Sequence, residues 1–105
     1  MGRTNLSFGS VSILHAIAGG SRFGFDIMAA TGLTSGTVYP ALDRLEGLGL
    51  LRSSWEDESL AHAEGRPARR YFRLTAAGAT ALQAALERFK AFGTIHIDPA
   101  TLEEA

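Results

Sequence analysis

Gly36-Thr37-Val38-Tyr39-Pro40-Ala41-Leu42-Asp43-Arg44-Leu45-Glu46 is the stretch whose pattern decides the fold. Val38, Ala41, Leu42 and Leu45, followed by Leu48, recur at helical spacing and line one side. Gly36, Pro40, Asp43 and Gly47 occupy the opposite side, with Tyr39 on one edge and Thr37 and Arg44 on the other. This helix is expected to start from a cap at Thr34 or Ser35 and to stop at about Leu48, before Gly49. Its outward face has little bulk, and Pro40 removes one backbone donor and frees the carbonyl of Gly36. A helix of that shape can come close to another surface.

Upstream, two shorter helices precede it. The first is expected from about Ser7 to Ala18, with Val11, Leu14, Ile17 and Ala18 on one face and Gly19-Gly20 as its end. The second is expected from about Arg22 to Thr31, capped by Ser21, with Phe23, Ile27 and Ala30 as its stripe and Gly32 as its break. Downstream, Leu50 to Trp55 and Arg69 to Leu74 read as strands; in the second, Phe72 and Leu74 alternate with Tyr71 and Arg73. The joining segment, Glu56 to Pro67, is too long for a tight turn and reads as a hairpin with a floppy tip. A last helix begins after Thr75 as N-cap and carries Leu82, Leu86 and Phe89 to its end at Gly93. In the tail, Ile95 and Ile97 alternate, and Asp98-Pro99 can cap a further turn.

The order helix, helix, helix, strand, strand, helix is mainly α with one β-hairpin. Two short helices joined by a Gly-containing turn, then a hairpin, make a winged helix-turn-helix, followed by a C-terminal dimerisation helix. The expected division is residues 1–75 for the winged helix-turn-helix, 76–93 for the dimerisation helix and 94–105 for the tail.

Composition narrows the classes. The chain of 105 residues is 46% hydrophobic and 20% charged, enough for one folded domain. It has no cysteine, which removes disulfides, thiolate nucleophiles and sulfur metal sites and fits a reducing cytoplasm. No apolar run approaches the roughly 18 residues that span a bilayer, and no signal peptide is expected. His15, His62 and His96 do not cluster, so no metal is expected. No Gly-rich phosphate loop and no Ser/His/Asp signature is present, so no enzyme activity and no cofactor are expected.

Net charge is −1, against the basic surplus usual in DNA binders. Its distribution matters more: Arg66, Arg69, Arg70 and Arg73 fall in a stretch without acids, after Glu56, Asp57, Glu58 and Glu64.

Three segments are similar to the PadR family of transcriptional regulators. They are Phe23-Gly24-Phe25-Asp26-Ile27; Gly36 to Glu46 followed by Gly49-Leu50-Leu51; and Arg69-Arg70-Tyr71-Phe72-Arg73-Leu74-Thr75-Ala76-Ala77-Gly78. The resemblance covers roughly residues 6 to 90. It implies a winged-helix domain that binds double-stranded DNA, a C-terminal dimerisation helix, and repression relieved by a small-molecule effector. The brevity of the C-terminal part resembles the family's short subgroup. Asp43 departs from the Lys or Arg that the family often carries there. It could accept from a cytosine amino group, or pair with Arg44 or an arginine of the wing.

On this reading Thr34, Ser35, Gly36 and Thr37 offer hydroxyls and backbone amides to phosphate. Tyr39 offers its hydroxyl from the rim, Pro40 sits on the approaching face, and Arg44 reaches a guanine edge or a phosphate. Arg66 and Arg69 on the wing face the minor groove. Plainer roles fit the same residues: a cap for Thr34 and Ser35, packing for Tyr39, ion pairs or a solvated face for Arg70 and Arg73. Trp55 suits a core or wing anchor. Leu82, Leu86 and Phe89 suit a symmetric homodimer, which calls for a palindromic operator with half-sites about 34 Å apart, or they complete the monomer core. An effector pocket is expected near Trp55 and Phe89. The competing class is a winged-helix module that binds another protein, favoured by the net charge.

Overall fold

Burial of the apolar stripes decides the architecture. In the computed structural model, which describes residues 6–90 and 98–101, the elements are α1 (Phe8–Ala18), α2 (Gly24–Thr31), α3 (Ser35–Gly47), β1 (Leu51–Trp55), α4 (Glu58–Ala63), β2 (Arg70–Leu74) and α5 (Ala76–Lys90). A short 3-10 turn, Pro99–Thr101, follows, where Asp98 accepts from the Ala100 amide at 3.0 Å. The expected end of the last helix at Gly93 and the Ile95 and Ile97 alternation lie outside the described residues.

The core joins all the helices that flank the hairpin. Ile13, Leu14, Ile27, Val38, Leu42 and Leu45 are fully enclosed, with Leu51 and Phe72 from the hairpin and Leu82 and Ala85 from α5. Three stripe ends fall outside it. Ala18 and Ala30 are exposed, and Leu48 is exposed at the cap of α3, where Gly49 turns the chain with φ of 77°. Burying each large aliphatic side chain contributes about 1.5–3 kcal/mol, so the α3 stripe alone is a large part of a small domain's cohesion.

The first helix starts as the sequence implies, with the Ser7 hydroxyl accepting from the Ser10 amide at 3.1 Å. The second does not start at Arg22 from a cap at Ser21. Its N-cap is Phe23, in extended conformation, because residues 22 and 23 are used by the sheet instead. The Phe72 amide donates to the Arg22 carbonyl at 2.8 Å, and Phe23 bridges Tyr71. This pairing covers the outer edge of β2. The Phe23 and Tyr71 rings meet edge to face at 5.8 Å.

The hairpin is antiparallel with Leu51 opposite Leu74, Ser53 opposite Phe72 and Trp55 opposite Arg70. Those residues share one face. Its lower half, Leu51 and Phe72, packs on the core; its upper half, Trp55 and Arg70, overhangs α3.

The tip is not floppy. Residues 58–63 form α4, capped by the Asp57 carboxylate, which accepts from the Ser59 amide at 2.8 Å, and anchored by buried Ala61. Glu56 staples its base. The carboxylate accepts from both Nη atoms of Arg66 at 2.6 and 2.8 Å, from the Arg69 amide at 3.2 Å and from the Tyr71 hydroxyl at 3.1 Å. A six-residue helix has too few turns to show a period, which is why the sequence reads as a loop.

The start of α5 explains Leu74-Thr75-Ala76-Ala77-Gly78. The Thr75 hydroxyl accepts from the Gly78 amide at 3.0 Å and donates to the Gly49 carbonyl at 2.6 Å. A Cβ on buried Gly78 would collide with the carbonyl oxygen of Leu50. Gly78→Ala is therefore expected to cost about 1–3 kcal/mol by forcing backbone apart. Gly47→Ala, at a helical position with open space around it, is expected to be neutral or to stabilise by up to about 1 kcal/mol. Denaturant titration of both variants checks the pair; equal stabilities would contradict the contact at Leu50.

Candidate nucleic-acid interface

Helix α3 presents its outer face without obstruction. Thr34, Ser35, Gly36, Thr37, Tyr39, Pro40 and Arg44 are all exposed. Thr34 is the N-cap residue by position, yet its side chain makes no capping bond. Its carbonyl takes the amides of Thr37 and Val38, while the amides of Ser35 and Gly36 have no partner among the described residues. The open amides at the helix start face the way an anion would approach, and the hydroxyls stand beside them.

Tyr39 has a packing partner as well as an exposed ring. A Cβ on Gly24 would strike the end of the Tyr39 side chain, so glycine at the first position of α2 leaves room for the ring against the helix. The ring remains half exposed. Arg44 makes a long 3.4 Å bond to the Ser10 hydroxyl and leaves the rest of its fork to solvent.

The wing meets α3 through Arg70. Its Nε donates to the Ser53 hydroxyl at 3.1 Å, Nη1 to Asp43 Oδ1 at 3.1 Å, and Nη2 to Glu46 Oε1. Glu46 Oε2 in turn accepts from the Ser53 hydroxyl at 2.6 Å and the Ser53 amide at 3.1 Å. Sequence reasoning missed Glu46 and Ser53. They stand seven residues apart across the turn that ends α3, and no periodic signal links a helix to the strand after it. The Ser53 hydroxyl, and then the Arg70 charge, hold the Glu46 carboxyl below its usual value against the opposing effect of burial. The alternatives for Asp43 resolve in part: its ion pair is with a wing arginine, not with Arg44.

The two wing arginines expected at the minor groove separate. Arg66 is held by Glu56 and, at 2.9 Å, by Glu64, with a side chain only 21% exposed. It stiffens the wing, and its charge is already matched. Arg69 stacks on the Phe23 ring at 4.2 Å and is partly exposed.

Trp55 is no anchor: it is 69% exposed. It lines a cleft of about 620 Å³ with Phe23, Phe25, Tyr39, Asp43 and Arg69. Phe89 lies elsewhere, in a groove of about 630 Å³ between α1 and α5 with Phe8, Val11 and Leu86. The expected single pocket at Trp55 and Phe89 is therefore two separate depressions. In the second, Phe8 is 75% exposed, Leu86 41% and Phe89 37%, and the Phe8 and Phe89 rings touch edge to face at 6.1 Å. Leu82, expected to face a partner, is 7% exposed and packed in the core, so it has little area left to give. Phe8 takes its place on the apolar face. Among the described residues no group of side chains could hold a metal ion, and no helix is long and apolar enough to cross a membrane.

A family model describing the transcriptional regulator PadR-like family matches residues 13–84, which hold the helix-turn-helix, the wing and the first half of α5. The chain belongs to the PadR-like family. It is similar in fold to a PadR family transcription regulator from Clostridium difficile, at 22% identity and a TM-score of 0.71, over 82% of this chain and 91% of that one. A PadR-like transcription factor from Bacteroides fragilis matches at 24% identity and a TM-score of 0.68, over 79% and 81% of the two chains. BpsR of Bordetella bronchiseptica, whose DNA binding is regulated by 6-hydroxynicotinic acid, matches at 21% identity and a TM-score of 0.68, over 95% and 74%. At these identities the likeness is one of fold. No match was found among curated proteins. The family is one of DNA-binding transcriptional regulators, not of enzymes.

The Glu56 staple gives the wing of this PadR-like chain an acid-sensitive base. Hydrogen bonds from Arg66 first, then from the Arg69 amide and Tyr71, lower the Glu56 pKa from 4.5 to about 2. Its folded pKa is depressed, so its contribution to stability is complete above about 4.5 and is lost as pH falls toward about 2. Glu56→Gln is expected to lower stability at neutral pH and to flatten the fall across that window. Urea midpoints measured against pH check this; parallel curves for the variant and the parent would contradict it.

Proposed function

We propose that this PadR-like chain is a homodimeric repressor that binds a palindromic operator in double-stranded DNA and is released by a small-molecule effector. The observation that carries the DNA reading is the exposed outer face of α3, with open amides at Ser35 and Gly36 beside free hydroxyls. Thr34 to Thr37 serve phosphate, Tyr39 reaches it from the rim, and Gly36 and Pro40 let the backbone come close. Arg44 and Arg69 supply movable positive charge. Arg66 acts indirectly, by holding the wing. A cytoplasmic location suits a DNA partner and the lack of cysteine.

Arg44→Ala and Arg69→Ala are each expected to weaken binding to all duplexes and to reduce the salt slope by about 1 per lost phosphate contact. Anisotropy titration at two salt concentrations, on a duplex selected from random sequence, reads both. A chain that selects no duplex would favour the protein-binding module.

The dimer would form on the face of Phe8, Leu86 and Phe89, with α5 against its symmetry mate. Leu86→Asp, at an exposed position, should leave the helix content intact and convert the dimer to monomer in sedimentation, with loss of operator binding. A variant that stays dimeric would move the interface elsewhere.

For the effector, the Trp55 cleft is the better seat of the two depressions, because it adjoins α3 and the wing together. A ligand there would favour one placement of wing against helix over another. Trp55 is the only tryptophan in the chain, so an effector in that cleft must change its emission.

A further inference from the structure

One side chain on the outer face of α3 is out of place for a surface that binds phosphate. Asp43 lies on the same side as Gly36, Pro40 and Gly47, and its side chain is 70% exposed. Those three neighbours carry no polar side chain, so a backbone that approaches DNA on this side brings the Asp43 carboxylate toward it first. A bare carboxylate there repels phosphate.

Holding the wing accounts for only one of its two oxygens. Glu46 already receives the Arg70 guanidinium and two hydrogen bonds from Ser53, with a side chain 30% exposed. Asp43 adds one further bond, from Arg70 Nη1 to Oδ1 at 3.1 Å. Its Oδ2 has no partner among the described residues. The guanidinium therefore fixes one oxygen, partly offsets the charge and leaves the other oxygen free.

A carboxylate can only accept. In the major groove, the donors are the amino groups of cytosine and adenine; guanine shows two acceptors, and thymine an acceptor and a methyl group. Adenine sets its acceptor N7 beside the amino group, where it repels a carboxylate, so cytosine fits best. Resting on the DNA-binding reading above, we propose that Asp43 is a specificity-determining residue that accepts from a cytosine amino group in each half-site, with Arg70 as its positioning residue. Arg70 aims the free oxygen because its planar fork is anchored at Ser53 and Glu46, which a lysine ammonium could not reproduce.

The test takes the selected operator and exchanges each base pair of both half-sites in turn. The full chain is then titrated as wild type, Asp43→Ala, Asp43→Asn, Arg70→Ala and Arg70→Lys, with a random duplex as reference and thermal melting as a check of folding. In the wild type, one position per half-site should prefer cytosine over thymine by about fivefold or more, the size of a single good base contact. Asp43→Ala should lose that preference and keep those at the other positions. Asp43→Asn should move it toward adenine, whose amino group and N7 suit an amide. Arg70→Ala should lose it too, and Arg70→Lys should restore only part. Two results would overturn the proposal. One is an Asp43→Ala chain that binds every duplex more tightly by the same factor, with all preferences unchanged, as a mere repelling charge would. The other is a wild type with no cytosine position that depends on Asp43. If the wild type binds no duplex specifically, the DNA reading itself falls, and this assignment with it.

Discussion

The Arg70 guanidinium is the constraint on which the working surface depends. It sits at the level where the hairpin runs past the core, opposite Trp55, and spans Ser53 on β1 and Asp43 and Glu46 on α3. Below it, apolar packing of Leu51 and Phe72 holds the sheet to the helices. Above it, the polar contacts of Arg70 join the wing to α3, while Phe23 meets Tyr71 and Arg69 at the start of α2. An ion pair at an open surface is worth little by itself, but one arginine shared by two carboxylates and a hydroxyl is a network, the setting in which such pairs count. The cost of separating wing from helix is then the cost of undoing several bonds together. The whole unit can approach DNA as one body.

A second network stiffens the far end of the wing. Glu56 collects Arg66, the Arg69 amide and Tyr71, and Asp57 caps α4. Between them the two networks consume two of the four arginines that make the local sequence look basic. On the proposed reading, positive potential at the DNA-facing surface rests on Arg44, Arg69 and the open amides at the start of α3. The overall charge of −1 fits the proposal that this surface would bind an anion through oriented donors as much as through formal charge.

Most of the fold was legible in the sequence because it rests on period. The stripes of α1, α3 and α5 and the alternation around Phe72 each predict an element that the structure contains, and the family motifs place them in one winged helix. Where local and tertiary demands compete, the sequence misleads. Ser21 is a good cap, yet residues 22 and 23 pair with β2 and delay α2 to Gly24. Leu82 shares a stripe with Leu86 and Phe89, but only the latter two clear the core. The exposed residues of α3 were readable as a group. The fates of Arg66 and Arg70 were not, because an arginine's role depends on which carboxylate the fold brings to it. The partners here are ten residues away for Glu56 and twenty-four or more for Glu46 and Asp43.

The central claim is that α3 and the wing together form the face that meets DNA. Amide chemical-shift mapping during titration with a selected duplex tests it directly, since every element of the described chain is observed at once. The account predicts the largest shifts over residues 34–44 and at Arg69 and Arg70, with the Trp55 indole moving as well. The α1–α5 groove around Phe8 and Leu86 should stay unchanged. Shifts confined to that groove, or spread evenly with none at α3, would contradict it.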